Sequence, residues 1–321
     1  MRFLTGAAAV LAAFGSAPLR AQDPPAGARF PRVQVVPLPD REFSFQRDGR
    51  EVLRYLAGPS HPKPFFFPVL GPCGRPVTRI GHPRDPEGHG HHLSLWIGHQ
   101  DVAGHNFWET RKSPARIVHD RVERLDDGEA GVLDLRALWI DGENRPVLAD
   151  RREWTFRPLP GTEGPSGFGE FFLDLRLTLE PPSGGGRAVL GKTNFGLLAV
   201  RVARTMGVRD GGGRITNSEG KVNEKEVLWR PARWCDYSGP AAPGGVVNGI
   251  TLFDHPANPR HPASFHVRDD GWMGAQVTRE EPLEVTREAP LVLRYRLWIH
   301  DGPCDRTRTE ALWKAWAEEG R

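Results

Sequence analysis

Leu173-Asp174-Leu175-Arg176-Leu177-Thr178-Leu179 alternates apolar and polar residues without a break. A period of two puts the four leucines on one face of an extended strand and Asp174, Arg176 and Thr178 on the other. The same alternation returns at Leu133, Leu135, Ala137 and Trp139, with Asp134 and Arg136 between them. It returns again at Leu291, Leu293, Tyr295 and Leu297, with Arg294 and Arg296 between. Strands of this kind have one covered and one wet face, the signature of an antiparallel sheet. Further strand-like runs lie at Val33–Val36, Glu42–Phe45, Val52–Leu56, Ile117–Arg124, Glu153–Arg157, Leu197–Val202 and Gly249–Phe253. Turn clusters such as Asp126-Asp127-Gly128, Asp141-Gly142 and Asp210-Gly211-Gly212 separate the strand-like runs. Only Arg306–Glu319 reads as a helix, capped by Thr307 or Thr309, with Leu312, Trp313 and Trp316 at helical spacing. Many strands and almost no helix predict an all-β fold. The expected architecture is a large antiparallel β-sandwich, supersandwich-like, with one C-terminal helix. Residues 159–169 and 181–187 read as long hairpin loops, so residues 22–321 are expected to form one domain.

Composition agrees. The 321 residues hold 37 Gly, 30 Pro and 10 Trp, with 26% charged and 38% hydrophobic. That is too aromatic for a disordered chain and rich in turn formers. The N-terminus joins Arg2 to an apolar run from Phe3 to Phe14 and small residues ending at Ala21. This pattern predicts a signal peptide over residues 1–21 and a periplasmic or secreted protein. The run is shorter than the ~20 apolar residues that span a bilayer, and no spanning window follows it. Without Arg2 and Arg20 the charge is 41 basic against 40 acidic residues. No field for nucleic acid results, and the basic residues form no patch interleaved with aromatics. Cys73, Cys235 and Cys304 have no metal-like spacing and read as buried small residues or one optional bridge. Phosphate-binding glycine loops followed by a helix and a Gly-x-Ser-x-Gly elbow are both missing from the sequence.

Seven of the twelve histidines fall between His61 and His105. The stretch holds His61-Pro62-Lys63-Pro64, Glu87-Gly88-His89-Gly90-His91-His92, His99, Asp101, Trp108 and Glu109. Imidazoles bury poorly unless hydrogen-bonded, so this density suggests acid–base chemistry through His91 or His92, or polar contacts to a substrate. Two alternatives remain open: a divalent metal held by imidazoles with Asp101, and a mobile loop of exposed histidines. A second constellation comprises Lys192, Asn194, Trp234, Asp236, Tyr237, His255, Asn258, His266 and Arg268. Aromatic residues beside amides and carboxylates suit a sugar, whose C–H face stacks on the ring while its hydroxyls meet the polar groups.

The residues His61-Pro62-Lys63-Pro64, His91-His92…Leu95-Trp96…Gly98-His99…Asp101-Val102…Phe107-Trp108, Trp234-Cys235-Asp236-Tyr237-Ser238-Gly239, His255-Pro256…Asn258, His266-Val267-Arg268 and Tyr295-Arg296…His300-Asp301-Gly302 together resemble a bacterial family labelled methane oxygenase PmoA-like. The resemblance spans about residues 50–320, with Leu93-Ser94 where the family has Arg-Gly. A particulate methane oxygenase subunit is an integral membrane protein of several apolar helices, which this chain lacks after its first 21 residues. What the resemblance implies is a β-sandwich similar to galactose mutarotase-like and polysaccharide-lyase domains, and a role in carbohydrate breakdown.

These readings give an expected function. The chain is expected to be an exported enzyme acting on a small-molecule or oligosaccharide substrate, a sugar or sugar acid, as a lyase, hydrolase or epimerase. His92 and His255 would be acid and base, with Asp236 orienting them, and Lys63 and Arg268 would stabilise negative charge. Trp108, Asn194, Trp234 and Tyr237 would hold the ring, with His91, His99, Asp101, Lys192, Asn258 and His266 as further contacts. No cofactor is expected, a divalent metal being the alternative. The rival function is a carbohydrate-binding protein without catalysis. The oligomeric state stays open. The reading requires both constellations to meet on one wall.

Overall fold

The alternating runs lie side by side. In the computed structural model, Phe171–Glu180 pairs with Leu291–Asp301 on one side and Pro146–Pro158 on the other. Leu173 lies opposite Leu297 and Phe156, and Leu175 opposite Tyr295 and Trp154. All of these face one interior, where they are buried. On the outer side Arg296 donates to both oxygens of Asp174, at 2.6 and 2.9 Å. The structure describes residues 30–319 except 83, 86, 87, 110 and 111. The segment read as a signal peptide lies outside the described residues.

Two antiparallel eight-stranded sheets make the sandwich. The first has the order Val33–Leu38, Glu42–Arg47, Arg50–Leu56, Phe65–Val69, Leu95–His99, Gly196–Arg201, Trp272–Gln276, Ser264–Arg268. The second has the order Arg214–Asn217, Trp234–Ala242, Val246–Asp254, Leu291–Asp301, Phe171–Glu180, Pro146–Pro158, Gly131–Ile140, Arg116–Asp126. A continuous apolar core joins their inner faces, including Phe45, Leu135, Leu177, Leu198, Phe265 and Leu293. The all-β sandwich expected from the sequence is therefore the fold. Among the described residues no helix is long and apolar enough to cross a membrane.

Details differ from the expectation. Residues 181–186 lead not to a hairpin but to Arg187–Leu190, which pairs with Leu283–Thr286 in a separate two-stranded sheet. Two short helices join the C-terminal one: α1 (Val208–Gly211) and α2 (Asn223–Val227) precede α3 (Arg306–Glu318). Asp305 rather than a threonine caps α3, accepting from the backbone N–H groups of Thr307 and Arg308 at 2.9 and 3.1 Å.

Neither outer face is wholly wet. The second sheet carries Trp234, Phe253 and Trp298 beneath Trp316 of α3. The first carries Phe65, Trp96, Trp108 and Trp272. That second patch floors the candidate site.

Candidate functional site

Strand parity builds the wall. Along Ser264–Arg268, Phe265 and Val267 point into the core, so His266 and Arg268 face outward. Along Trp272–Gln276, Met273 and Ala275 are the core residues, and Trp272 faces outward. The segment after Gly81 folds over this surface. A Cβ at Gly81 would lie 2.2 Å from the His89 carbonyl, so only glycine lets the 89–92 turn close so near. Strands and turn enclose a cavity of about 400 Å³ bounded by His89, His91, His92, Trp108, His266 and Arg268, among others.

Two imidazole–carboxylate pairs open on it. His91 Nδ1 lies 2.8 Å from Glu109 Oε2, and His89 Nδ1 lies 2.9 Å from Asp270 Oδ2. Asp270 also accepts from the buried Arg201 guanidinium at 2.9 Å. Burial opposes ionisation of Asp270, but the hydrogen bond with His89 and the charge of Arg201 hold it down at about 2. A carboxylate this close to Nδ1 favours the tautomer protonated there and leaves Nε2 as the nitrogen for proton exchange. The two rings stand 6.1 Å apart.

His92 lies between them, stacked 4.4 Å from His89 and 4.6 Å from His91, with Trp96 5.0 Å away. Burial first, then the neighbouring imidazoles, drive its pKa well below the usual histidine value. It is a neutral ring that exchanges hydrogen bonds, not a proton carrier. His266 is neutral too, pushed down to about 3 by burial, its Nδ1 donating to the Asn194 carbonyl at 2.9 Å. Trp108, Trp272 and Phe195 supply the aromatic surface, with Trp108 5.6 Å from each of the others. Lys63 is buried beneath Trp108, donating to the carbonyls of Phe107 and Trp108 at 3.2 and 2.6 Å. Burial lowers its pKa to about 7, partly offset by Glu109.

The two constellations therefore meet in part. His91, His92 and Trp108 from the first join His266 and Arg268 from the second, and Asn194 contributes its carbonyl. The other expected residues lie elsewhere. His99 is buried behind the wall, bonded to Thr278 Oγ1 at 2.8 Å and lowered to about 4 by burial. Asp101 closes its own turn on the Gly104 N–H, and Lys192 is exposed outside the cavity. Asp236 belongs to the second sheet, where parity puts it on the outer face. There it accepts from Ser238, from Thr251 at 2.8 Å and bonds His300 Nε2 at 2.7 Å. His255 borders a different cavity, with Asp174 and Arg176, and packs edge-on to Trp316. Trp234 donates to Glu310 of α3. Asn258 ties Asp254 to the backbone of Arg294. Tyr237 is a core residue whose hydroxyl reaches the carbonyls of Arg268 and Asp269 at 3.3 and 3.2 Å, so it supports the wall from behind. His255 and Asp236 thus cannot act with His92, because the thickness of the sandwich separates them.

Glu109, Asp270 and Trp272 border or back the candidate site although spacing assigned them no role. Glu109 and His89 stood in the histidine-rich stretch, but their partners are set by tertiary contact. Asp270 sits in an ordinary-looking Asp-Asp-Gly turn. Among the described residues no three His, Cys, Asp or Glu side chains are grouped to hold a metal ion. The three cysteines are free.

The molecule is thus an all-β sandwich with an imidazole–carboxylate cavity on one outer face. The chain belongs to a family of unknown function, DUF6807, whose model matches residues 42–314, a span that contains every cavity residue named. No curated protein matches it.

Proposed function

We propose that the protein is an exported enzyme that moves protons on a sugar or sugar acid bound in this cavity. The observation that carries the reading is the pairing of His91 with Glu109 and of His89 with Asp270 on one aromatic-floored wall, their rings 6.1 Å apart. In this reading one neutral imidazole takes a proton from a substrate carbon or hydroxyl, and the other, protonated, delivers one to a substrate oxygen. Each carboxylate stabilises the imidazolium that forms or is consumed, and Arg201 keeps Asp270 ionised throughout. Trp108, Trp272 and Phe195 take the C–H face of the ring, and neutral His92 exchanges hydrogen bonds with its hydroxyls. The cavity is at the small end of the ~300–1,000 Å³ typical of ligand sites, which suits one or two rings. The apolar segment before Ala21 supports export. The likeness of the motifs to PmoA-like sequences, which implies a galactose mutarotase-like sandwich and a role in carbohydrate breakdown, supports a carbohydrate substrate.

The test is a panel of aldoses, uronic acids and short glycans, followed by product analysis and titration calorimetry. His91→Ala and His89→Ala should each lower kcat by about 10²-fold or more while binding persists. Undiminished turnover in both variants overturns the reading.

A further inference from the structure

Apart from imidazole nitrogens and the Gln100 amide oxygen, which Thr193 Oγ1 engages at 2.6 Å, the cavity wall is richer in hydrogen-bond donors than in acceptors. Glu109 is the one carboxylate on its wall among the described residues, and His91 engages it. Asp270, behind the wall, is held by His89 and Arg201. On the donor side, Trp108 Nε1 is buried at the wall with no hydrogen-bond partner among the described residues, and Trp96 Nε1 beside it is in the same condition. Burial leaves an indole N–H in need of an acceptor. Hydroxyls bring donors with their acceptors, whereas a carboxylate brings acceptors alone.

Arg268 is the one permanent cation on the wall among the described residues. Its position is built by several contacts. Glu224 Oε1 takes Arg268 Nε at 3.1 Å, and Glu224 Oε2 accepts from the Asp269 N–H at 2.8 Å. Asp269 Oδ1 returns a bond to the Glu224 N–H at 2.9 Å, and the Tyr237 hydroxyl ties down the carbonyls of 268 and 269. With Nε committed to Glu224, the end-on Nη1/Nη2 fork is the edge that remains, and its geometry matches a carboxylate.

We propose that the substrate is a carboxylated sugar, a uronic acid or a uronic-acid-ended fragment, whose carboxylate docks on Arg268, with Glu224 as the positioning residue. This rests on the sugar reading above and narrows it. A carboxylate neutralised by Arg268 also makes the C–H beside it the easiest proton for an imidazole to take, because the guanidinium stabilises the charge that moves onto the carboxylate oxygens.

Titration calorimetry with glucuronate, galacturonate and mannuronate, each against its neutral aldose and against galactose 6-sulfate, tests it. At least one uronate should bind about tenfold or more tighter than its aldose and than the sulfate. Arg268→Met should abolish that preference, Arg268→Lys should keep part of it, and Glu224→Gln should weaken it with the fold unchanged by circular dichroism. Equal binding of acid and aldose, tighter binding of the sulfate, no uronate binding, or a preference that survives Arg268→Met overturns the proposal. The two ideas fail separately. Neutral-sugar turnover that depends on His89 and His91, without a uronate preference, sinks only the carboxylate. Arg268-dependent uronate binding with turnover indifferent to both histidines sinks only the proton-transfer reading.

Discussion

A lysine with no exposed surface has to be either paired or neutral, and among the described residues Lys63 has two carbonyls and no carboxylate in contact. Its two bonds tie down Phe107 and Trp108, and with them the start of the segment that presents Glu109 to His91. The sequence marks Lys63 as unusual, but its burial makes it a clamp rather than a group that meets substrate. The same holds for His92: density of histidines is visible in a sequence, whereas neutrality comes from the rings stacked around it. Glu109 and Asp270 show the converse, since no spacing links them to His91 and His89. For Lys63 the folded value, about 7, lies below the ordinary 10.5. Between those values the unfolded chain binds a proton that the native state does not, so this residue makes stability rise with pH across that window. Lys63→Met should cost about 1–3 kcal/mol by leaving buried carbonyls unsatisfied. It should also remove the part of the stability gain that wild type shows in urea melts between pH 7 and pH 10. Parallel pH profiles for the two proteins would count against the clamp.

At the scale of elements, the long strands of the second sheet were readable because each has one buried and one polar face, as in Phe171–Glu180 and Leu291–Asp301. The short strands that carry the site were not. Leu95–His99 and Trp272–Gln276 are buried on both faces, one against the core and the other beneath the cavity, and so show no alternation. Helix α3 was found with its first residue, Arg306, but its cap was assigned to a threonine. Asp305 accepts two orphan N–H groups, while the Thr309 hydroxyl turns back to the Asp305 carbonyl at 2.6 Å. Arg308 then pins the first turn to buried Glu170 with bonds of 2.9 and 2.6 Å. Asp305→Ala should therefore cost about 1 kcal/mol and lower Tm by about 2–4 °C. Because α3 covers the sheet opposite the cavity, sugar binding should be unchanged. An unaltered melting curve would show that the cap contributes nothing here.

Across the whole molecule, the sandwich assigns different tasks to its two outer faces. One gathers imidazoles and aromatic rings around a cavity. The other buries Asp236 among Ser238, Thr251 and His300, so the Trp234–Gly239 motif that looked like part of a sugar site serves the structure of the second sheet. Burial works against a charged His300, but the charge and hydrogen bond of Asp236 outweigh it, and the pKa is raised above 6.5. The pair therefore contributes stability in full below about pH 6.5, and that contribution is lost as pH climbs through the folded value. Its direction is opposite to that of Lys63, which lies in the bend before the first-sheet strand Phe65–Val69, and the two are separable because each belongs to its own set of contacts. Urea melts at pH 5.5, 7.5 and 9 should show His300→Gln most destabilised relative to wild type at pH 5.5, with the gap narrowing as pH rises. In a Lys63→Met background the same narrowing should persist, since His300 is held by Asp236 and Trp298 while Lys63 is held by the carbonyls of Phe107 and Trp108. A gap that stays constant, or widens toward pH 9, would mean that His300 is neutral in the folded protein and that Asp236 is held by its hydroxyl neighbours alone.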